Sequence, residues 1–197
     1  SIVDLQKRSS ERMLAMINNF NVAVRSYQNA EPQVIHLNHL LSSAIEVLKG
    51  NDVLRQRIRI KMELSEPDTI RAVPMAVMQI IDNLVTNAAE SMSNTGRFDL
   101  TARTLWQSEW VLLQVADQGV GIGFCADCSP RECFRCNHFQ IGRTTKSQGT
   151  GIGVIYVREE IKKIGGDIKI DSVLDEGTTV TLFFPRVDEP QIEEEPS

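Results

Sequence analysis

From Ile58 to Phe184 the apolar residues change period again and again, and this ordered switching constrains the fold more than any other feature. Ile58, Ile60, Met62 and Leu64 alternate with Arg59, Lys61 and Glu63, the period of a half-buried strand. Pro74 then opens a helix to about Met92, with Val77, Ile80, Ile81, Leu84, Val85 and Ala88 on its buried side. Two strands follow, Arg97 to Leu105 and Trp110 to Ala116. A helix from about Thr150 to Ile164 stops at Gly165-Gly166, and strands from Asp167 to Ser172 and Thr178 to Phe184 flank a turn at Asp175-Glu176-Gly177. Helices interleaved with a mixed, largely antiparallel set of strands predict an α+β chain, a two-layer α/β sandwich with its helices on one sheet face.

Ahead of this pattern, residues 2 to 28 hold no Gly or Pro. Met13, Met16, Phe20, Ala23 and Tyr27 recur at spacings of three and four, a narrow seam suited to packing against partner helices, with the domain's own core as the lesser alternative. Glu31-Pro32 ends that helix, and Leu37 to Leu48 form another, stopped at Gly50-Asn51. The expected division is a helix over 1–30, a domain over 31–187 and an acidic, solvated tail over 188–197.

The chain of 197 residues has a formal net charge of −5, so the broad attraction that binds nucleic acid is missing and any phosphate site must be local. No run reaches the roughly 20 apolar residues of a membrane helix. Ser1 opens neither signal peptide nor transit sequence, and all four cysteines crowd between Cys125 and Cys136, which suits a reducing compartment. A cytoplasmic segment without membrane contact of its own is expected, compatible with a larger membrane-bound parent.

Residues 117 to 149 are irregular, and so long a loop in a compact domain usually carries function. Three clusters surround it. Asn83 and Asn87, four apart in QIIDNLVTNAAESM, leave one helical face, where amide carbonyls are reasonable magnesium ligands. Taken alone, such a pair more commonly marks a solvated face. Asp117 ends a strand and precedes Gly119, Gly121, Ile122 and Gly123 in DQGVGIG, where a carboxylate can accept from an exocyclic amine or simply cap a turn. Gly149, Thr150, Gly151, Ile152 and Gly153 in QGTGIGV open a helix whose free N–H groups suit phosphate, with Thr144, Thr145 and Lys146 just before.

Each cluster alone is common; the order is not. N-x-x-x-N on a helix, D-x-G-x-G after a strand, then TTK and G-x-G-x-G before a helix resemble the N, G1, F (Phe139 through Lys146) and G2 boxes of the GHKL superfamily, over about Pro32 to Pro185. That superfamily includes histidine kinases, anti-sigma serine kinases, type II topoisomerases, mismatch-repair proteins and a heat-shock chaperone. Its hydrolysing branches usually place a glutamate base where Asn83 stands, and an amide cannot take a proton from water. SERMLAMINNFNVAVR followed by PQVIHL is also similar to the second dimerisation helix of histidine kinases and the strand leading into their catalytic domain.

The resemblance implies a Bergerat fold that binds ATP and Mg²⁺ and transfers phosphate to a histidine, with a response regulator as partner and a homodimer through the N-terminal helix. Asn87 would be the magnesium ligand with Asn83 in support, and Asp117 would hold adenine against Gly119 and Gly121. Lys146 and the amides from Gly149 to Gly153 would gather the phosphates. An anti-sigma serine/threonine kinase, a regulatory module without transferase activity and a GHKL hydrolase remain the alternatives. The acceptor histidine lies on the first dimerisation helix in the family, and His36, His39 and His138 are poor substitutes for it, so no autophosphorylation of this chain is expected. Where the family has a short lid segment, Cys125, Cys128, Cys133 and Cys136 form C-x₂-C-x₄-C-x₂-C, which suits zinc, an iron–sulfur or redox role, or no ligand at all.

Overall fold

The computed structural model describes residues 30–50, 58–93, 95–122 and 153–187. The chain divides into two compact units, Ser1–Pro32 and Gln33–Ser197. All but the last three residues of the first unit lie outside the described residues, as do the predicted N-terminal helix and the acidic tail.

In the second unit β1 (Gln33–His36) leads directly into α1 (Leu37–Lys49), followed by β2 (Arg59–Glu63), β3 (Thr69–Ala72) and α2 (Pro74–Met92). The hairpin of β4 (Asp99–Gln107) and β5 (Trp110–Asp117) comes next, then α3 (Gly153–Lys163), β6 (Asp167–Val173) and β7 (Gly177–Pro185). The main sheet runs β2-β4-β5-β7-β6, with β2 parallel to β4 and every other pair antiparallel. It is therefore the mixed sheet expected. β1 and β3 form a separate antiparallel pair.

The alternation of each strand sends one set of side chains toward the helices. Leu100 and Ala102 of β4, Val111, Leu113 and Val115 of β5, and Leu182 and Phe184 of β7 are buried with Leu41 and Ile45 of α1, Ile81 and Val85 of α2, and Val157 and Ile161 of α3. Pro74 occupies the first turn of α2, where its missing N–H costs no hydrogen bond. Gly165 ends α3 at φ +76°, and the Gly165 and Gly166 amides return to Lys162 and Ile161 carbonyls. Gly50 closes α1, as the Gly50-Asn51 stop predicts, in the right-handed region: its φ is −67° and its N–H bonds back to Glu46 and Val47.

The sequence pattern held no sign of β3. Four residues are too few to display a period, and Thr69–Ala72 becomes a strand by pairing with β1. The same segment supplies what α1 lacks. With no side-chain cap of its own, α1 has its first amides met from Asp68: Leu37 N–H donates to the Asp68 carbonyl at 3.0 Å and Asn38 N–H to Asp68 Oδ2 at 2.9 Å. His36 Nδ1 lies 3.0 Å from Asp68 Oδ1, while His39 is exposed on the first turn. Below them the buried Thr104 hydroxyl meets Asn38 Oδ1 at 2.6 Å and accepts from Ser65 N–H at 2.9 Å. Among the described residues no buried side-chain polar atom lacks a hydrogen-bond partner.

Candidate functional site

Helix α2 is the wall on which the predicted residues meet. Asn83 and Asn87 stand one turn apart, and Asn83 Nδ2 donates back to the Gln79 carbonyl at 2.8 Å. This leaves Asn83 Oδ1 facing Gly153. A Cβ on Gly153 would sit 2.8 Å from Asn83 Oδ1 and 3.6 Å from Asn87 Nδ2, so a side chain there would push the Asn83 amide from its place. The start of α3 is thereby placed beside the Asn83 and Asn87 side-chain amides.

One turn beyond Asn87 the same helix presents Ser91, and here the second cluster arrives. Ser91 Oγ is 2.9 Å from Asp117 Oδ1, and Gly119 N–H donates to that same oxygen at 2.8 Å. Val120 N–H bonds to the Ser91 carbonyl at 3.2 Å. A side chain at Gly119 would run into the Ser91 side chain, which makes glycine a requirement of the loop's approach to α2.

From the opposite side the loop is held by the β6–β7 turn. Asp175 N–H donates to the Val120 carbonyl at 2.9 Å, Ile122 N–H to Ser172 Oγ at 2.8 Å, and Arg97 Nη1 to the Asp175 carbonyl at 2.8 Å. Ser172 Oγ also donates to the Gly177 carbonyl at 2.9 Å and lies 2.8 Å from the buried Thr178 hydroxyl. Thr178 is the register partner of Asp117, which places a second hydroxyl-bearing residue beside the carboxylate's strand.

Asn83, Asn87, Asp117, Gly119, Gly121, Ile122 and Gly153 thus gather on α2 and the adjoining strand ends, through the contacts above. Thr144, Thr145, Lys146, Gly149, Thr150, Gly151, Ile152 and the four cysteines lie outside the described residues. Among the described residues no group of His, Cys, Asp or Glu could hold a metal ion. Sequence reasoning missed Ser91, Ser172 and Thr178. Ser91 continues the four-residue ladder of Asn83 and Asn87, whereas the other two become visible only once β5, β6 and β7 are paired.

Asp82, next to Asn83, is electrostatically out of balance. Burial lifts its carboxyl above the ordinary aspartate range, and Gln79 Nε2 at 3.4 Å only partly offsets this. A raised folded-state value means stability present in acid is lost as pH rises through it. Asp82→Asn should therefore raise the unfolding midpoint at neutral pH and match wild type below the aspartate range. Equal shifts at both pH values would contradict this.

A family model described as "Histidine kinase-, DNA gyrase B-, and HSP90-like ATPase" matches residues 72–188. Sensor histidine kinase WalK of Bacillus subtilis (strain 168) is 24% identical over 191 residues, covering 93% of this chain and 30% of WalK. Sensor histidine kinase ZraS of Salmonella typhimurium is 27% identical over 154 residues, covering 78% of this chain and 31% of ZraS. This chain therefore spans under a third of the length of either relative. Among solved structures, the catalytic domain of histidine kinase ThkA superposes with a TM-score of 0.64 at 23% identity, over 79% of this chain and 96% of that one. Mycobacterial sensor histidine kinase MprB gives a TM-score of 0.63 at 19% identity, over 78% and 97%. These two likenesses speak to the fold. Among the described residues no helix is long and apolar enough to cross a membrane.

Proposed function

The chain belongs to the histidine kinase-, DNA gyrase B- and HSP90-like ATPase family, and from that premise we propose that it is the ATP-binding catalytic part of a sensor histidine kinase. The observation that carries this reading is the convergence on α2 of Asn83, Asn87, the start of α3 and the Asp117–Gly119 loop. Asn87 is the main magnesium ligand and Asn83 its support, amide oxygens being the hard donors that ion prefers. Magnesium, when bound, offsets the charge of the nucleotide's phosphates. Asp117 accepts the adenine amine, and Gly119 and Gly121 let the base lie close to backbone. Lys146, Thr144, Thr145 and the amides from Gly149 to Gly153 gather the phosphates.

The γ-phosphoryl goes to a histidine on a dimerisation helix, and from there to a response regulator. Catalysis of that kind is mainly positioning and charge stabilisation, so no covalent nucleophile is needed in this domain. Asn83 favours transfer over hydrolysis, because no carboxylate base stands at its position to activate water. Residues 1–30 supply the homodimer contact, and a cytoplasmic location suits the clustered cysteines. Cys125, Cys128, Cys133 and Cys136 bind zinc, two C-x-x-C hooks being enough for one tetrahedral ion.

The test is calorimetry of Mg-ADP against wild type and Asn87→Ala, with elemental analysis of the same preparation. Asn87→Ala should weaken Mg-ADP at least about tenfold and leave metal-free ADP nearly unchanged. About one zinc per chain should be present. No heat from wild type with any adenine nucleotide would end the kinase reading, and a zinc-free, fully active preparation would end the cysteine assignment.

A further inference from the structure

We propose that Ser91 is a positioning residue that fixes the Asp117 carboxylate and thereby sets the preference of the site for adenine. The inference rests on the assignment of Asp117 to the base, and it goes beyond it by naming the group that makes that carboxylate selective. Ser91 has one hydroxyl proton and two acceptors in reach, the Ala88 carbonyl at 2.7 Å and Asp117 Oδ1 at 2.9 Å. A serine late in a helix ordinarily returns its proton to the carbonyl one turn back. An ionised carboxylate is the stronger acceptor, so the proton goes to Asp117.

Gly119 N–H reaches the same oxygen from the loop side at 2.8 Å. Two donors on one oxygen, from two different elements, fix the plane of the carboxylate. That matters for base choice. An ionised carboxylate attracts the exocyclic amine of adenine and repels the carbonyl oxygen that replaces it in hypoxanthine or guanine. A carboxylate free to rotate no longer holds an oxygen aimed at the amine, and discrimination falls.

The packing keeps Ser91 in this role. Gly119 lies so near the Ser91 side chain that a larger residue at either position would push the loop off α2. Ser91→Ala removes the hydroxyl while keeping the shape, which makes it the variant of choice.

The experiment titrates Mg-ADP and Mg-IDP against wild type and Ser91→Ala by calorimetry. IDP carries a carbonyl in place of the amine and leaves the phosphate end unaltered. Loss of a hydrogen bond to a charged group corresponds to a fall in ADP affinity of about tenfold, while IDP should change by less than about twofold. The ADP/IDP ratio therefore narrows about tenfold. Retained IDP affinity shows that the variant is folded. An unchanged ratio overturns the proposal, whether both affinities persist or both fall together. If wild type binds no ADP, the assignment of Asp117 fails as well, and the two failures are told apart by that wild-type measurement alone.

Discussion

Asp117→Asn is expected to invert the base preference of the site: Mg-ADP affinity should fall about a hundredfold, and Mg-IDP should become the better ligand. The substitution keeps the volume of the side chain. One amide oxygen can still accept from Ser91 Oγ and Gly119 N–H, which lie 2.9 and 2.8 Å from Oδ1 in the parent. That leaves the new NH₂ group where the second carboxylate oxygen stood. There it meets the adenine amine donor to donor, and it meets the hypoxanthine carbonyl donor to acceptor. The loss with ADP combines a missing charge-assisted hydrogen bond with a polar group left unmatched. Parallel titrations of the two diphosphates provide the check. A variant weakened equally toward both would show that Asp117 acts on the fold and not on the base.

Gly177→Ala should be the most damaging substitution for stability, lowering the unfolding free energy by about 3 kcal/mol. Two causes add. Gly177 has φ +132°, a conformation that L side chains rarely adopt, and its Cβ would be driven into the Asp117 carbonyl and against the Gln118 Cα at 2.9 Å. Backbone atoms in a central strand cannot move aside as a flexible side chain can. Gly96→Ala makes the control: φ is +69° there, yet a Cβ meets nothing within 4 Å. That variant should cost only about 1 kcal/mol, from the left-handed backbone alone. Urea denaturation with unchanged m-values measures both, and equal losses would remove the collision from the account.

The parts of the fold readable in advance were those governed by short-range periodicity. α2 was visible from Val77 to Ala88 because nineteen residues repeat an apolar face five times over, and Pro74 marked its start. β5 was visible as an apolar run, and its end at Asp117 placed the carboxylate correctly on the rim of the sheet. β3 was not, because its strand character comes from β1 and not from its own four residues. The site divided in the same way. Asn83 and Asn87 announce themselves by their one-turn spacing on a helix, and Asp117 by its place beside glycines. Ser91 is one more small polar residue until the loop folds onto α2, and Ser172 gains its role from a contact fifty positions away in sequence.

Asp68 has a mechanical consequence. Its main-chain carbonyl and carboxylate together hold the first two amides of α1 and the His36 ring, while its neighbour Thr69 pairs with His36 across the small sheet. A pull on the chain at Gln33 cannot peel away β1 without also stripping the opening turn of α1 of its acceptors. Strand and helix are geared to one carboxylate, so tension entering there loads the helical layer at once instead of being absorbed in a slack joint.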